Sequence, residues 1–176
     1  MSKNIILDKK YIILSNGEKN EEKEEGVTSS VYKVEDIKTK EIYAAKILKG
    51  KTSFFDKEKE FLTLFKDKGI KNIIKLIDSG CGNIQLGNVQ LTERQYLILE
   101  YAEKKDLSKY ITLIGNGFKE SHAICLFLKI LEGVKAIHEN YVCHRDLKTK
   151  NILLDNEFNP KICDFGFSTY IKDKRI

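Results

Sequence analysis

The sequence predicts an α+β protein in which a small β-rich part with one main helix is followed by a helical part. Residues 1–102 consist mostly of short β-branched and aromatic runs bounded by Gly, Asn, Asp or charged residues, which is typical of strands. From Asp106 onward, apolar residues recur at steps of three and four, which is typical of helices. Because no Pro-rich or Gly/Ser-rich linker separates these textures, the two parts are expected at residues 1–102 and 103–176, joined by a short segment around 100–105.

Five strands and one helix are expected in the first part. The helix is predicted at 54–65, because Phe54, Glu58, Phe61, Leu62 and Phe65 fall at three- and four-residue steps and give one apolar face. The strands are predicted at residues 11–14, 30–34, 42–48, 73–77 and 96–99.

A long helix and a hairpin are expected in the second part. Ser121 is placed to cap a helix that runs to about residue 140. Its broad apolar stripe consists of Ile124, Phe127, Leu128, Ile130, Leu131, Val134 and Ile137. Two short apolar runs, 152–154 and 161–163, then flank a turn-rich stretch and predict a hairpin. A stripe of this width needs a cover, so a docking partner over the helical face is an expectation.

Composition argues against several classes of protein. The chain has 176 residues, 41% of them hydrophobic, which is enough for one sizeable core. Its net charge of +5 is spread over scattered lysines, so a nucleic-acid surface is not expected. The four cysteines show no zinc-site spacing. The apolar runs are too short for a signal sequence or a membrane span, so a cytoplasmic or nuclear location without a membrane is the default expectation.

The most informative residues lie near the C-terminal end of the sequence. His144, Arg145 and Asp146 are followed by Leu, Lys148, Thr, Lys and Asn151, and thirteen residues after Asn151 comes Asp164-Phe165-Gly166. An aspartate, a lysine and an asparagine within six residues place a proton acceptor, a cation and a neutral metal ligand on one loop. Phosphoryl transfer requires a positioned hydroxyl, charge neutralisation and magnesium held by hard oxygen atoms. Asn151 and Asp164 are candidates for those oxygen ligands.

In both order and spacing, these two motifs resemble the signature of eukaryotic-type serine/threonine protein kinases. The resemblance implies a protein-kinase-like bilobal fold with an ATP-binding N-terminal lobe and a C-terminal lobe. It also implies that Asp146 orients the substrate hydroxyl and accepts its proton, that Lys148 stabilises the phosphoryl group, and that Asn151 and Asp164 hold Mg²⁺. Lysine at position 148 is similar to the serine/threonine class, because tyrosine kinases usually have alanine or arginine there.

The resemblance extends to the residues expected to bind ATP. Tyr43-Ala-Ala-Lys46 is similar to the kinase Val-Ala-Ile-Lys, with Lys46 reaching the α- and β-phosphates. Glu60 is the predicted anchor of Lys46, and Glu58 is the alternative. The remaining implied roles concern the nucleotide. They are Gly26 for the phosphates, Val31, Ala44 and Leu153 for the adenine faces, Leu99 as gatekeeper, Glu100 and Ala102 for backbone bonds to adenine, and Asp106 for the ribose. A helix cap is an equally good interpretation of Asp106.

Two features depart from the family pattern. With Val31 as register, the glycine-rich loop reads Glu24-Glu-Gly26-Val-Thr-Ser-Ser-Val31, so only the middle glycine of three is present. The strand before this loop is predicted at 11–14, with an acidic insertion after it. The chain also ends ten residues after Gly166, so we expect a fragment whose C-terminal lobe is incomplete and which transfers phosphate poorly alone.

The expected function is therefore transfer of phosphate from Mg-ATP to Ser or Thr hydroxyls of a protein substrate. Lys46, Glu60, Asp146, Asn151 and Asp164 favour this enzyme. The alternative is a non-catalytic, kinase-derived module that binds nucleotide or docks to a partner, which the eroded glycine loop favours.

Overall fold

The computed structural model describes residues 5–14, 23–25, 29–50, 53–86 and 89–171. Its contacts divide the chain into two compact units. The first consists of Met1–Phe55 and Leu76–Tyr101, and the second of Asp56–Lys75 and Ala102–Ile176. The helix expected in the first part is therefore grouped mostly with the second unit.

The first unit is a seven-stranded antiparallel sheet that curls upon itself. Its strands are β1 (Ile5–Leu7), β2 (Tyr11–Ile13), β3 (Lys23–Glu25), β4 (Ser29–Asp36), β5 (Ile42–Leu48), β6 (Leu76–Leu86) and β7 (Val89–Glu100). Their order is β2-β1-β6-β7-β5-β4-β3, and β2 also pairs with β4. This last pairing closes six of the strands into a ring.

One face of this curled sheet packs inward. Successive residues of a strand point to opposite faces, so every second side chain of β4, β5 and β7 enters the interior. Ala45 and Ile47 of β5 face Tyr96 and Ile98 of β7 in this core. Leu7, Tyr11 and Ile13 of the first two strands complete it.

Two glycines allow close contacts along β6. A Cβ atom on Gly80 would lie 2.6 Å from the Tyr96 hydroxyl oxygen, and one on Gly82 would lie 2.6 Å from Cγ of Asp8. The same hydroxyl donates a hydrogen bond to Asp8 at 3.0 Å. The glycines that weaken the strand pattern in the sequence are thus the residues that admit these neighbours.

The second unit is mainly helical. It contains most of α1 (Ser53–Asp67), then α2 (Leu107–Ile114) and α3 (Glu120–Glu139). Short strands follow: β8 (Val142–Cys143), β9 (Ile152–Leu154), β10 (Pro160–Ile162) and β11 (Thr169–Tyr170), with a 3₁₀ turn at Thr149–Asn151. Strand β9 pairs with β10, and β8 pairs with β11, both antiparallel. An antiparallel sheet in one unit and helices in the other confirm the predicted α+β class.

Two local predictions were wrong. The strand expected at 73–77 begins only at Leu76, because the backbone before it forms a bridge with Ile162 of β10. Ile74 N–H donates to the Ile162 carbonyl, and Ile162 N–H donates to the Asn72 carbonyl. Helix α3 begins at Glu120 after an N-cap at Lys119, which makes no side-chain cap bond, so Ser121 lies inside the helix.

Helix α3 is covered on one side only within this unit. Gly133 and Ile137 are buried, and Gly133 lies so close to β10 that an added Cβ would approach Ile162 to 2.9 Å. The opposite side exposes Ile124, Phe127, Leu128 and Leu131. Among the described residues, no helix has the length and apolarity needed to cross a membrane.

Candidate active site

In the first unit, four predicted nucleotide-contact residues share one face of the sheet. Val31 pairs with Lys46, and Lys46 pairs with Leu97. Ala44 and Leu99, each two residues away from that pair on its own strand, also pair with each other. Directly paired residues point to the same side of a sheet, and this side is opposite to the packed interior. The strand register therefore gathers Val31, Ala44, Lys46 and Leu99 on one surface.

Two short strands, β2 and β3, lie beside β4 ahead of the glycine-rich loop. Strand β2 pairs with β4 through Tyr11 and Asp36, so 11–13 is a strand next to β4, as expected. The separate short strand β3 places Glu24 opposite Val31. Gly26 itself lies outside the described residues.

Helix α1 carries both candidate anchors of Lys46, the predicted Glu60 and the alternative Glu58. Glu58 is buried, with 3% of its surface exposed, and lies on the same helix face as Leu62 and Phe65. Glu60 is exposed, and its Oε1 accepts a hydrogen bond from the Tyr170 hydroxyl at 3.0 Å. The two carboxylates thus have different environments, and only that of Glu58 is enclosed.

The catalytic-loop residues of the second unit form one hydrogen-bonded group. Lys148 Nζ lies 2.7 Å from Oδ2 of Asp146, and Asn151 Nδ2 donates to the same oxygen at 2.8 Å. Asn151 Nδ2 also donates to the Asp146 backbone carbonyl at 2.9 Å. The carboxylate is therefore held in one orientation by a cation and an amide that follow it in sequence.

These contacts set the charge state of the carboxylate. The Lys148 hydrogen bond, assisted by the one from Asn151, lowers the pKa of Asp146 below its usual value, although partial burial opposes this. Asp146 raises the pKa of the Lys148 ammonium in return. Asp146 is accordingly a carboxylate at neutral pH, able to accept a hydrogen bond from a hydroxyl.

His144 joins the catalytic loop to the Asp164 motif. It is buried, its Nε2 lies 3.0 Å from the Cys163 carbonyl oxygen, and its Nδ1 accepts from the Asp146 backbone N–H at 3.2 Å. Both bonds are satisfied by a neutral ring with its proton on Nε2. Burial lowers the pKa of His144, which favours this neutral form.

Aromatic packing extends this connection to α1. The Phe165 ring lies 4.8 Å from the His144 ring and 5.2 Å from the Phe65 ring, measured between centroids. Cys163 N–H donates to the Asn151 carbonyl at 2.9 Å, so the loop and the hairpin are also joined through their backbones. Asn151 and Asp164 are thus placed on two segments that are tied together.

Backbone conformation marks the same residues. Arg145 has φ of 65° and Asp164 has φ of 66°, in the left-handed region that costs free energy for residues other than glycine. Such conformations are concentrated at functional sites, where the surrounding structure holds them.

Comparison with known proteins settles the family. A family model described as protein kinase domain matches residues 19–175. The chain belongs to the protein kinase family. Among its relatives, cyclin-dependent kinase G-1 of Oryza sativa subsp. indica is 35% identical over 145 residues, and cyclin-dependent kinase 11A of Homo sapiens is 32% identical over 148 residues. Each alignment covers 82% of this chain, but the chain spans only 20% and 18% of those proteins, respectively.

Asp106, for which both a ribose contact and a helix cap were expected, has a structural role in this kinase domain. Its Oδ1 accepts from the Lys109 backbone N–H at 2.9 Å, so it caps α2 as the alternative interpretation expected. Residues 104–106 also pair with β9, where Ile152 and Leu154 are buried and Leu153 points to the other face. Leu153 is therefore directed away from the core, as a residue in contact with adenine would be. Glu100 ends β7, and Ala102 follows it, partly exposed.

Protein kinase domains generally use ATP and Mg²⁺, and the oxygen atoms here fit that metal. Mg²⁺ takes one or two protein oxygen ligands and completes its shell with water and substrate phosphates. Asn151 donates a hydrogen bond from Nδ2 to Asp146, so its amide oxygen points the other way. Asp164 directly follows Cys163, whose backbone N–H is hydrogen-bonded to the Asn151 carbonyl. A carboxylate and an amide oxygen are hard ligands of the kind that Mg²⁺ prefers.

Proposed function

We propose that the protein transfers the γ-phosphoryl group of Mg-ATP to Ser or Thr hydroxyls of protein substrates. The observation that supports this most is the oriented Asp146 carboxylate, held through Oδ2 by Lys148 and Asn151. The serine/threonine preference rests on Lys148 and on the names of the two relatives given above, both cyclin-dependent kinases.

The proposed mechanism assigns a task to each residue. When bound, Mg-ATP would supply the γ-phosphoryl group and be released as ADP, and Asn151 and Asp164 would hold the metal. Asp146 accepts the hydrogen bond of the substrate hydroxyl through its other oxygen, Oδ1, and takes the proton late in the reaction. Its lowered pKa makes it a weak base, so we assign it mainly an orienting role. Lys148 neutralises charge on the phosphoryl group as it moves.

Nucleotide binding is proposed to use the shared face of β4, β5 and β7. Val31, Ala44, Leu99 and Leu153 would contact adenine, Glu100 and Ala102 would offer backbone groups, and Asp106 would meet the ribose while capping α2. Gly26 is proposed to approach the phosphates with its backbone. Lys46 is proposed to contact the α- and β-phosphates.

For the anchor of Lys46, we propose Glu58 in place of Glu60. A buried carboxylate needs a charged or hydrogen-bonding neighbour, whereas an exposed one is satisfied by water. Glu58 is buried and Glu60 is exposed and bonded to Tyr170. Glu58→Gln is therefore expected to weaken ATP binding more than Glu60→Gln.

A non-catalytic module is the second candidate, because β3 brings Glu24 opposite Val31 at the start of a loop with one glycine. One experiment separates the two candidates. ATP binding to the purified full-length protein is titrated with and without Mg²⁺, and phosphate transfer to a Ser/Thr substrate mixture is measured in the same preparation. An enzyme binds ATP in a Mg²⁺-dependent way, binds it less in Lys46→Met and Asp164→Asn, and transfers phosphate. Binding without transfer would support the module.

Partner proteins belong to the same proposal. A protein substrate follows from the kinase assignment, and the exposed side of α3 is proposed to be covered by protein. The relatives are named cyclin-dependent kinases, so the transfer assay should also include a cyclin co-expressed with the protein.

A further inference from the structure

Tyr170 connects the segment that follows Asp164-Phe165-Gly166 to helix α1. The inner side of this segment is fixed on the catalytic loop. Ser168 is fully buried and its Oγ donates to the His144 carbonyl at 3.3 Å, while Arg145 Nε donates to the Phe167 carbonyl at 2.6 Å. The pairing of β11 with β8 continues this attachment through Tyr170. The backbone on both sides of Tyr170 is therefore held in place.

The Tyr170 side chain reaches α1 with both its ring and its hydroxyl. Its ring centroid lies 5.0 Å from that of Phe61, at an interplanar angle of 58°. Its hydroxyl donates to Glu60 Oε1 at 3.0 Å. Partial burial, together with the carboxylate of Glu60, raises the pKa of Tyr170, so the phenol keeps its proton at neutral pH.

This contact constrains the rotation of α1 about its own axis. Residues on an α-helix are separated by about 100° each, so Glu58, Phe61, Leu62 and Phe65 lie within about one third of the circumference. Phe65 is attached to Phe165 at the centre of that arc, and Phe61 lies at its edge, where Tyr170 meets it. Glu60 lies beyond that edge. A rotation that carries Glu58 out of its buried position must therefore break the Tyr170 contacts.

We propose that Tyr170 is a positioning residue that holds α1 in the orientation in which Glu58 is directed at its buried site. This inference rests on the proposed function, because it assigns Glu58 to the anchoring of Lys46. It also gives Glu60 a different task from the one expected from the sequence, namely acceptor for Tyr170. Tyr170 itself touches neither substrate nor nucleotide in this account.

A double-mutant cycle on the full-length protein tests the proposal. Tyr170→Phe keeps the ring and removes the hydroxyl, and Glu60→Ala removes the acceptor of that hydroxyl. Each single variant should lower kcat/KM for ATP by about 2-fold to 10-fold, the range that corresponds to one net hydrogen bond. The KM for the protein substrate should not change. The double variant should be no worse than the more impaired single variant, because both changes remove the same contact.

Tyr110→Phe serves as the matched control. Tyr110 lies on α2 and packs against Phe118 and Phe158, so removal of its hydroxyl should leave kcat/KM unchanged. Effects that multiply in the double variant would show that Tyr170 and Glu60 act independently and would overturn the proposal. No effect of Tyr170→Phe on kcat/KM would overturn it as well.

A second measurement does not depend on catalysis. Amide hydrogen exchange of α1, read by mass spectrometry, should be faster in Tyr170→Ala than in wild type, while exchange of α3 should be unchanged. If the wild type does not transfer phosphate but amide exchange of α1 is faster in Tyr170→Ala, the proposed function is wrong, whereas the role of Tyr170 in holding α1 is supported. Unchanged amide exchange of α1 in Tyr170→Ala would refute the proposal that Tyr170 holds this helix.

Discussion

The stability of the fold should depend on Leu62 of helix α1. Leu62 has 0% of its surface exposed and lies one turn after Glu58 on the same face. Leu62→Ala removes buried methyl groups and leaves a cavity, which typically costs about 2–5 kcal/mol of unfolding free energy. For a chain of this size, each kcal/mol lowers Tm by about 2–4 °C. We therefore expect Tm to fall by roughly 4–20 °C.

Leu113→Ala on α2 is a closely matched control. It is the same substitution in a helix, with the same change in helix propensity, but Leu113 is 81% exposed. Its effect on the unfolding free energy should be within about 0.5 kcal/mol. The assay is urea unfolding followed by circular dichroism, with thermal scans of the same samples. Equal losses in the two variants would refute the assignment of Leu62 to a packed core.

Two further predictions concern the tie between the catalytic loop and Asp164. Because burial lowers the folded-state pKa of His144, its neutral form stabilises the fold fully above about pH 6.5, and this contribution is lost as pH falls below that value. The unfolding free energy should thus decrease from pH 7.5 to 5.5 by more in wild type than in His144→Gln. The control His138→Gln, at an exposed position, should behave like wild type. An equal decrease of the unfolding free energy in all three proteins would contradict this prediction. Ser168→Ala should cost about 1 kcal/mol because one buried hydrogen bond is lost, and Ser168→Asp should cost considerably more because it buries a charge. An aspartate variant as stable as wild type in urea would show that Ser168 is accessible and could accept phosphate.

The sequence predicted several strands but not all of the sheet. Strand β5 has the predicted bounds, since Ile42, Tyr43 and Ile47 favour a strand and no Gly, Pro, Asn or Asp interrupts it. Strand β1 was missed, because three apolar residues before a charged stretch give too short a pattern. Most of β6 was missed because Gly80 and Gly82 break the alternation, and only the neighbouring Tyr96 and Asp8 explain why glycine is needed there.

The choice between Glu58 and Glu60 shows what sequence can decide. Motif matching favoured Glu60, whereas the helical period alone places Glu58 with Leu62 and Phe65 at steps of four and three. The burial of Glu58 follows that period. Helical periodicity was therefore the better signal for which of the two glutamates is buried. The bond between Glu60 and Tyr170 joins residues 110 positions apart, and no local pattern predicts such a contact.

The central claim is that Asp146 orients the hydroxyl that receives the phosphoryl group. The most direct measurement is transfer of labelled phosphate from Mg-ATP to Ser/Thr substrates by the full-length protein, its Asp146→Asn variant and Asp67→Asn, which makes the same change at an exposed position of α1. We predict that kcat falls by about 100-fold or more in Asp146→Asn, the scale of a misplaced reactive group, while ATP binding and the activity of Asp67→Asn are unchanged. Transfer by Asp146→Asn at the wild-type rate would contradict the account.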